Sequence, residues 1–360
     1  MKKLITAKEA EALLKSGQAL PSGALLTPSA RDVIAGFNRG GSKSVVSAQS
    51  SVADDAAPIV PDYEYKWTPG SDPKTPAEIK AFFYSPEIEA IKVRMCEMGD
   101  RMWKREYTDG NGGNLTVRVG DNLCLCTPTL ISKGFMKPEH MCLVDLDGKQ
   151  LAGKYKRTSE AMTHLAIMKR VPEAKACCHA HPPHATAYAV AKVQPPTCLI
   201  PEAEVFLGQI GMAEYQTPGT PENATVVGEA AKKGHMSVLM LNHGVITWGK
   251  DIEDAYWKME NTESYCKTIW VASQLGNELT PISGKQAKEL IALRKSLGMS
   301  DPRADWQECE LCQNDGFRPG MACRSTTEET PTAPQGGGVD DDAERLIHRI
   351  TNEILKQIGA

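Results

Sequence analysis

The residues with the clearest chemical meaning are three histidines that stand where short apolar runs end. His179 and His181 follow one such run, and His243 follows another at 237–241. On a β-strand, residues i and i+2 point to the same side, so His179 and His181 can direct two imidazoles at one point. Imidazole nitrogens are common zinc ligands, and Gly244 permits a sharp turn directly after the third histidine. This pattern predicts a metal site, with a pair of hydrogen-bonded histidines at a sheet end as the alternative.

Glu160 is the carboxylate that would complete such a site. It ends the motif Thr158-Ser159-Glu160, at the start of a predicted helix whose apolar face includes Met162 and Leu165. The helix dipole alone favours an acidic side chain in the first turn, which is the purely structural explanation. Otherwise Glu160 is a fourth ligand or a base, because three histidines and one carboxylate suit Zn²⁺ or a similar divalent ion.

Strands and helices alternate through the middle of the chain and would position these side chains. Ser85 and Pro86 begin a helix in which apolar residues recur every three or four positions, as in a helix packed on a core. Further helices are predicted at 159–170, 183–192, 222–233 and 251–275. Strands are predicted at 115–119, 123–126, 141–144, 174–181, 197–206 and 237–241. This alternation predicts an α/β domain with a central sheet.

Composition divides the chain into four parts. Residues 1–80 are predicted to be an N-terminal extension with a short helix and a linker at 38–76 that is rich in Ser, Gly, Pro and Ala. Residues 81–300 are predicted to form the α/β domain that carries the candidate metal site. A cysteine-containing segment and flexible linker follow at 301–338, and an amphipathic helix at 339–360.

The chain as a whole has the composition of an ordinary globular protein. Its 360 residues include 41 basic and 45 acidic side chains, for a formal charge of −4. These values argue against a disordered chain and against a nucleic-acid-binding protein that depends on broad positive charge. We expect no membrane span, since no apolar run reaches the ~20 residues that one needs.

The 11 cysteines show no disulfide framework, so a reduced, cytoplasmic protein is expected. Cys309, Cys312 and Cys323 are expected to be free thiols, with a structural zinc site as the alternative.

Five short motifs, in their order along the chain, resemble those of the class II aldolase and adducin family. They are Gly113-Asn114-Leu115-Thr116, Thr127-Pro128-Thr129, Thr158-Ser159-Glu160, His179-Ala180-His181 and Asn242-His243-Gly244. The resemblance covers about residues 108–275. It implies a central, mainly antiparallel sheet flanked by helices, with flexible N- and C-terminal extensions, and a homotetramer with active sites at subunit contacts.

The resemblance also implies a role for each site residue. His179, His181 and His243 would bind one Zn²⁺ per subunit, and Glu160 would be the catalytic acid/base. The phosphate of a sugar phosphate would be bound by four polar residues, Asn114, Thr129, Thr158 and Ser159. Lys133 is a further candidate for the phosphate, or else a solvated surface lysine.

The implied reaction is retro-aldol cleavage of a deoxy-ketohexose 1-phosphate. L-fuculose or L-rhamnulose 1-phosphate would yield dihydroxyacetone phosphate and lactaldehyde. Pentulose-phosphate 4-epimerases and ketose-phosphate dehydratases of the same family share the metal site, so both reactions remain alternatives. Adducin-like members are non-catalytic interaction proteins that lack the metal histidines, and the presence of all three histidines here therefore favours an enzyme.

The sequence departs from the family pattern at two places. Leu130 stands where the family often has glycine, and its side chain is expected to narrow or reshape the phosphate loop. No tyrosine occurs between Ala189 and Glu214, the segment in which a relative carries its proton-donating tyrosine, and Glu204 lies near the position of an acidic residue in the epimerases. Possible replacements from a neighbouring subunit are Tyr256, Trp257 and Tyr265.

The segment 340–358 carries an apolar stripe at helical spacing. The residues of this stripe are Leu346, Ile347, Ile350, Ile354 and Ile358. Because a flexible linker precedes it, the helix is expected to bind a partner groove, with packing on its own domain as the alternative. The arrangement resembles the encapsulation peptides of bacterial microcompartment cargo enzymes. It implies a microcompartment shell protein as partner and a cytoplasmic location within a microcompartment.

Overall fold

The computed structural model describes residues 63–312 and Asn314. Before them it describes positions 4, 5, 10, 13, 14, 16, 25, 26 and 30. The predicted helix at 340–358 and Cys323 lie outside the described residues, as does most of the two predicted linkers.

By their internal contacts, residues 1–61 and 62–360 form two units. In the first unit, strand β1 (Leu4–Ile5) pairs in parallel with strand β2 (Leu25–Leu26). All that follows concerns the second unit.

An eight-stranded sheet forms the centre of the second unit. Its strands are β3 (Asn114–Arg118), β4 (Leu123–Cys126), β5 (Cys142–Asp145), β6 (Gln150–Ala152), β7 (Ala176–Ala180), β8 (Gly211–Ala213), β9 (Ser237–Met240) and β10 (Gly244–Gly249). They lie in the order β6-β5-β4-β3-β7-β10-β9-β8, and only β8 and β9 run parallel to each other. The prediction of a mainly antiparallel sheet flanked by helices is confirmed.

The helices surround this sheet. They are α1 (Pro76–Phe83), α2 (Pro86–Lys104), α3 (Ala161–Arg170), α4 (Pro183–Ala191), α5 (Pro201–Phe206), α6 (Pro221–Lys232), α7 (Ile252–Ser273), α8 (Gly284–Ser296) and α9 (Glu308–Leu311). Several begin at a side chain that accepts a backbone N–H, as at Thr75, Ser85, Thr220 and Asp251, because the first turn leaves its donors unpaired. None of the helices among the described residues combines the length and apolar character that crossing a membrane requires.

Successive side chains of each strand point to opposite faces of the sheet, so the core consists of two layers. On β4, Leu125 packs into the layer that contains Met98 of α2 and Met259 of α7. Its neighbour Cys124 faces the opposite layer, which contains Leu165 of α3. The methionines of α2 are therefore core residues, as their spacing predicts, and each fully buried apolar side chain contributes about 1.5–3 kcal/mol to folding.

Residues 63–75 fall in the predicted linker, yet they have defined contacts with the sheet. The Trp67 indole donates to Asp121 at 2.8 Å, and Asp72 accepts the backbone N–H groups of Asp121 and Asn122 at 3.0 and 2.7 Å. These polar contacts attach the segment to the turn between β3 and β4. The second unit thus begins at residue 62, whereas the sequence places the end of the extension at residue 80.

The strand predicted at 197–206 is wrong, because residues 201–206 form helix α5. Pro201 occupies the first turn, where its fixed φ suits a helix and its missing N–H costs nothing. Glu202 and Glu204 therefore lie on this helix. Glu204 points inward and is only 2% exposed, while Glu202 is exposed.

A buried cluster of charges joins α5 to the segment after α8. The Arg303 guanidinium pairs with Glu204 at 2.8 Å and donates to both carboxylate oxygens of Asp301 at 3.0 and 2.9 Å. Arg294 of α8 donates to the Val205 carbonyl at 2.7 Å. Arg294 and Arg303 have no exposed surface, so their charges depend on these partners.

A disulfide links Cys198 to Cys312, so the expectation of a fully reduced chain and the expectation that Cys312 is a free thiol or a zinc ligand are both wrong. Hydrogen bonds of Asn314 accompany the disulfide. Its side-chain oxygen accepts the Thr197 N–H at 2.7 Å, and its side-chain nitrogen donates to the Thr197 carbonyl at 3.2 Å. Cys309 is a free, exposed thiol. The pairing of residues 114 positions apart was not visible in the spacing of the cysteines.

We predict that Arg303→Leu lowers the free energy of unfolding by about 3–5 kcal/mol, since it leaves the buried Glu204 without its cation and Asp301 with only the longer contact to Arg294 at 3.6 Å. Urea unfolding followed by tryptophan fluorescence measures this change. The matched control is Lys169→Leu, which breaks an exposed pair with Asp147 and is expected to cost less than about 1 kcal/mol. Equal effects of the two substitutions would contradict the prediction.

Candidate metal centre

The structure brings the three histidines together at one end of neighbouring strands. His179 lies on β7, His181 follows directly after it, and His243 lies in the turn between β9 and β10. The ring centroids are 4.8–5.2 Å apart, and the nitrogens that could bind an ion all lie within 4.8 Å of one another.

The turn that carries His243 has an unusual backbone. Asn242 has φ +57°, in the left-handed region that asparagine tolerates better than most residues. Gly244 follows, and a Cβ atom there would lie 2.6 Å from the His181 ring and 2.7 Å from the Ala180 carbonyl oxygen. Glycine therefore lets the turn approach the end of β7 closely, which places the third imidazole beside the other two.

Hydrogen bonds fix the proton positions of two of the rings. His179 Nδ1 lies 2.8 Å from the Val245 carbonyl oxygen, and His181 Nδ1 lies 2.8 Å from Asp109 Oδ1. Because both partners only accept, each Nδ1 must donate, and in a neutral ring Nε2 then presents a lone pair. The two Nε2 atoms are 3.2 Å apart. Two lone pairs at this distance repel each other unless a proton or a cation lies between them.

A proton is disfavoured at this position. Burial, together with the neighbouring rings of His181 and His243, holds the pKa of His179 well below its usual range. Burial also lowers the pKa of His243. Neutral imidazoles that converge in this way are the state that binds a metal, and the donor set fits a divalent ion of the zinc type.

Glu160 lies beside two of the histidines. It is the N-cap residue of α3, with one carboxylate oxygen 3.4 Å from His179 Nε2 and the other 3.6 Å from His243 Nε2. Asn114 donates to Glu160 Oε2 at 2.9 Å. Among the residues that the structure describes, Oε1 is buried without a hydrogen-bond partner, as are Asn114 Oδ1 and His243 Nδ1. Buried polar atoms of this kind cost stability until a ligand satisfies them, which also fits a site that binds an ion and a polar substrate.

The four residues expected to bind phosphate lie on segments that meet. The Thr158 N–H donates to the Thr127 carbonyl at 3.0 Å, and the Thr129 N–H donates to the Lys156 carbonyl at 2.9 Å, so the two segments run side by side. The Thr158 hydroxyl accepts the Glu160 N–H at 3.3 Å and is part of the start of α3. Ser159 is exposed, and Asn114 contacts Glu160.

Lys133 is neither a surface lysine nor free for a phosphate. Its side chain is 1% exposed, and its ammonium donates to the carbonyls of Asn111 and Ile131 at 2.9 and 2.5 Å. Burial lowers the pKa of Lys133 to about 8. Lys133 therefore stabilises the loop before β3.

Sequence reasoning missed Asp109, which lies in that same loop. Its carboxylate is the partner of His181 although 72 residues separate the two along the chain. The signal that could have found it is an acidic residue beside Gly110, Gly112 and Gly113, since a glycine-rich loop can bring its side chain close to another segment.

Two further histidines near the site have other surroundings. His184, at the start of α4, bonds Glu263 at 2.6 Å through Nδ1. His164 of α3 is fully buried, and neither ring nitrogen has a hydrogen-bond partner in the described part of the chain. Burial lowers the pKa of His164 to about 3, so it stays neutral.

The side chains considered as replacements for the missing tyrosine have partners within the chain. The Tyr256 hydroxyl donates to Glu260, and the Tyr265 hydroxyl donates to the Pro196 carbonyl at 2.7 Å. Both rings are buried, while Trp257 is 44% exposed.

Leu130 has φ +61° and is 80% exposed, so its side chain projects outward from the loop.

Comparisons with known proteins identify the family of the chain. The family model of the class II aldolase and adducin N-terminal domain matches residues 93–270. The chain is 32% identical over 205 residues to a 3-oxo-tetronate 4-phosphate decarboxylase of Haemophilus influenzae, covering 56% of this chain and 96% of that protein. It is 34% identical over 183 residues to an L-fuculose phosphate aldolase of Methanococcus maripaludis, covering 51% and 96%.

Two more matches show how broad the family is. An L-ribulose-5-phosphate 4-epimerase of Salmonella paratyphi B is 31% identical over 186 residues, covering 49% of this chain and 81% of that protein. A solved structure of an L-fuculose 1-phosphate aldolase is 25% identical with a TM-score of 0.52, covering 57% of this chain and 96% of that one. The relatives share a fold and differ in the reaction named for them. The chain therefore belongs to the class II aldolase and adducin family and is one of its enzymes.

Proposed function

We propose that this enzyme is a Zn²⁺-dependent class II aldolase that cleaves a deoxy-ketohexose 1-phosphate. L-fuculose or L-rhamnulose 1-phosphate would give dihydroxyacetone phosphate and lactaldehyde. The observation that carries the proposal is the contact of one carboxylate, Glu160, with two of three converging histidines at 3.4 and 3.6 Å. Similarity to fuculose phosphate aldolases over nearly their whole length supports it.

The metal would be held by His179, His181 and His243, one ion per subunit. When bound, it would supply positive charge next to the substrate oxygen on which negative charge develops as the C–C bond breaks. No lysine that forms a Schiff base is needed for such chemistry.

Glu160 would move the proton at the substrate carbon next to the carbonyl. The Asn114 side chain donates to Glu160 Oε2, which orients the carboxylate and leaves Oε1 without a hydrogen bond among the described residues. An oxygen in that position can accept a proton from a substrate placed within hydrogen-bond reach.

The start of α3 would bind the substrate phosphate. Thr158 and Ser159 directly precede its N-cap residue, where backbone N–H groups and the helix dipole favour an anion. Thr129 lies on the adjoining segment and would add a hydroxyl donor. Asn114, whose side-chain amide donates to Glu160 Oε2, is the fourth residue that we propose to contact the phosphate.

Epimerisation of a pentulose phosphate is the weaker alternative. An acidic residue near position 204 would need to be available to the substrate, but Glu204 is 2% exposed and pairs with Arg303. Decarboxylation of a 3-oxo acid phosphate is the other activity named among the relatives, and it too leaves a carbanion next to a carbonyl. The metal site is therefore compatible with each of these reactions, and only assays with the different substrates distinguish them.

We also propose that the enzyme is a homotetramer in the cytoplasm and that its segment 340–358 directs it into a bacterial microcompartment. The amphipathic pattern of this segment and the linker before it support the proposal. A shell protein with an apolar groove would be the partner.

A product assay tests the proposed reaction. Zinc-loaded enzyme is expected to release dihydroxyacetone phosphate from L-fuculose or L-rhamnulose 1-phosphate, and removal of the metal with EDTA is expected to abolish the release until Zn²⁺ is restored. Ribulose 5-phosphate and 3-oxo-tetronate 4-phosphate are the comparison substrates. The aldolase assignment would be refuted if neither deoxysugar phosphate gave triose phosphate while ribulose 5-phosphate was epimerised or 3-oxo-tetronate 4-phosphate released CO₂.

We predict that Glu160→Gln lowers kcat by about 10²–10⁴-fold, because the amide keeps the shape of the side chain but cannot take up a proton. Steady-state kinetics on zinc-loaded protein, with the metal content measured in parallel, separate this effect from loss of the ion. Glu139→Gln, at an exposed position, is the matched control and is expected to behave as the wild type. Turnover within a few-fold of the wild type would remove Glu160 from its role.

We predict that deleting residues 340–360 leaves kcat and KM unchanged while abolishing co-purification with microcompartment shells. Replacing Ile350 and Ile354 by aspartate is a milder variant, which disrupts the apolar stripe without shortening the chain. Both variants are expected to remain outside purified shells. Shell association equal to that of the full chain would refute the targeting proposal.

A further inference from the structure

We propose that Asp109 is a positioning residue that holds His181 with its Nε2 lone pair directed at His179, and that Asp109 thereby sets the metal affinity of the site. The inference rests on the metal site of the proposed function and does not depend on which sugar phosphate is cleaved.

His179 and His181 are held in different ways. The Nδ1 of His179 donates to the carbonyl of Val245 on β10, and the pairing of β10 with β7 fixes that acceptor. His181 lies one residue beyond the end of β7, and its Nδ1 instead donates to the carboxylate of Asp109. The orientation of one ring thus depends on the sheet, and that of the other on a side chain.

The loop from Tyr107 to Gly113 holds His181 at two points. The Tyr107 carbonyl accepts the His181 backbone N–H at 2.8 Å, and Asp109 accepts from the ring at 2.8 Å. Main chain and side chain of the histidine are therefore fixed by residues two positions apart.

The loop itself is built to present Asp109 in this direction. The Gly112 N–H donates to the Asp109 carbonyl at 2.9 Å, and the buried Lys133 ammonium donates to the Asn111 carbonyl at 2.9 Å. A Cβ atom on Gly112 would lie 2.1 Å from Asp109 Oδ1 and 3.2 Å from His181 Nδ1, so only glycine leaves room for the pair.

The exposure of Asp109 argues for a specific role. Its side chain is 75% exposed, and water would solvate the carboxylate without a protein partner. A carboxylate that accepts from the distal nitrogen of a metal-binding histidine fixes the ring tautomer and makes the other nitrogen a stronger ligand. Removing such a partner typically weakens metal binding about 10–100-fold.

Zinc affinity tests the proposal without any substrate. Asp109→Ala is expected to raise the Kd for Zn²⁺, measured by competition with a chromophoric chelator, about 10–100-fold. Asp109→Asn keeps an acceptor oxygen but loses the charge, and an intermediate increase is expected. The matched control is Asp147→Ala, which removes a similarly exposed aspartate that pairs with Lys169, and its Kd is expected to equal that of the wild type.

A second measurement reads the His181 ring itself. In metal-free protein with ¹⁵N-labelled histidine, His181 is expected to carry its proton on Nδ1 in the wild type and to shift toward the Nε2-protonated form in Asp109→Ala. His179 is the internal control, because its backbone acceptor Val245 is unchanged. Thermal unfolding establishes that each variant is folded.

The outcomes separate this inference from the proposed reaction. A Zn²⁺ Kd for folded Asp109→Ala within about threefold of the wild type, or an unchanged His181 tautomer, overturns the role of Asp109 and leaves the aldolase proposal standing. Weaker zinc binding in a protein that cleaves none of the sugar phosphates supports the role and overturns the aldolase proposal. Absence of zinc binding by the wild type overturns both.

Discussion

The antiparallel pairing of β7 with β10 is the constraint on which the site depends. In this register Ile246 lies opposite His179 and Val245 lies opposite Ala180. The pairing brings the Val245 carbonyl to His179, and the short turn into β10 brings His243 next to both other rings. A shift of one residue would turn His179 into the opposite core layer, since successive side chains point to opposite faces. The sheet and the candidate metal centre are therefore specified by the same hydrogen bonds.

Burial determines what these histidines can do. Imidazoles exposed to water would take up protons near their usual pKa and repel a cation, whereas the pKa of His179 is held well below that range. Burial also makes each polar atom without a hydrogen-bond partner among the described residues, such as Glu160 Oε1, unfavourable for the stability of the fold. The site is thus destabilised as long as nothing occupies it, a common property of binding sites whose polar groups are prepared for a ligand.

Much of the fold could be predicted from the sequence because local rules and tertiary packing agree there. Spacing of apolar residues predicts α2, and the run that ends at Leu241 predicts β9, with shifts of one residue at the ends. The prediction for 197–206 failed because alternating acidic and apolar residues over six positions fit a short helix as well as a strand, and Pro201 decides between them.

For the candidate site, residue type and spacing predict which histidines converge, but not what holds them. His179 and His181 are two residues apart, so their common direction follows from strand geometry alone. Asp109 is 72 residues from its partner His181, and Cys312 is 114 residues from Cys198. Such contacts depend on the path of the whole chain. The expectation for Lys133 failed for the same reason: only the folded loop shows that it is buried.

The disulfide and the buried Arg303 extend the folded unit beyond the region that the family model matches. The family model stops at residue 270, yet Arg303 neutralises Glu204 well inside the matched region, and Cys312 is bonded to Cys198 there. In a chain cut at the family boundary, the buried Glu204 carboxylate would lack the Arg303 cation and Cys198 would be left as an unpaired thiol. The residues that follow α7 therefore belong to the same cooperative structure as the domain that the family shares, and are not an appendage to it.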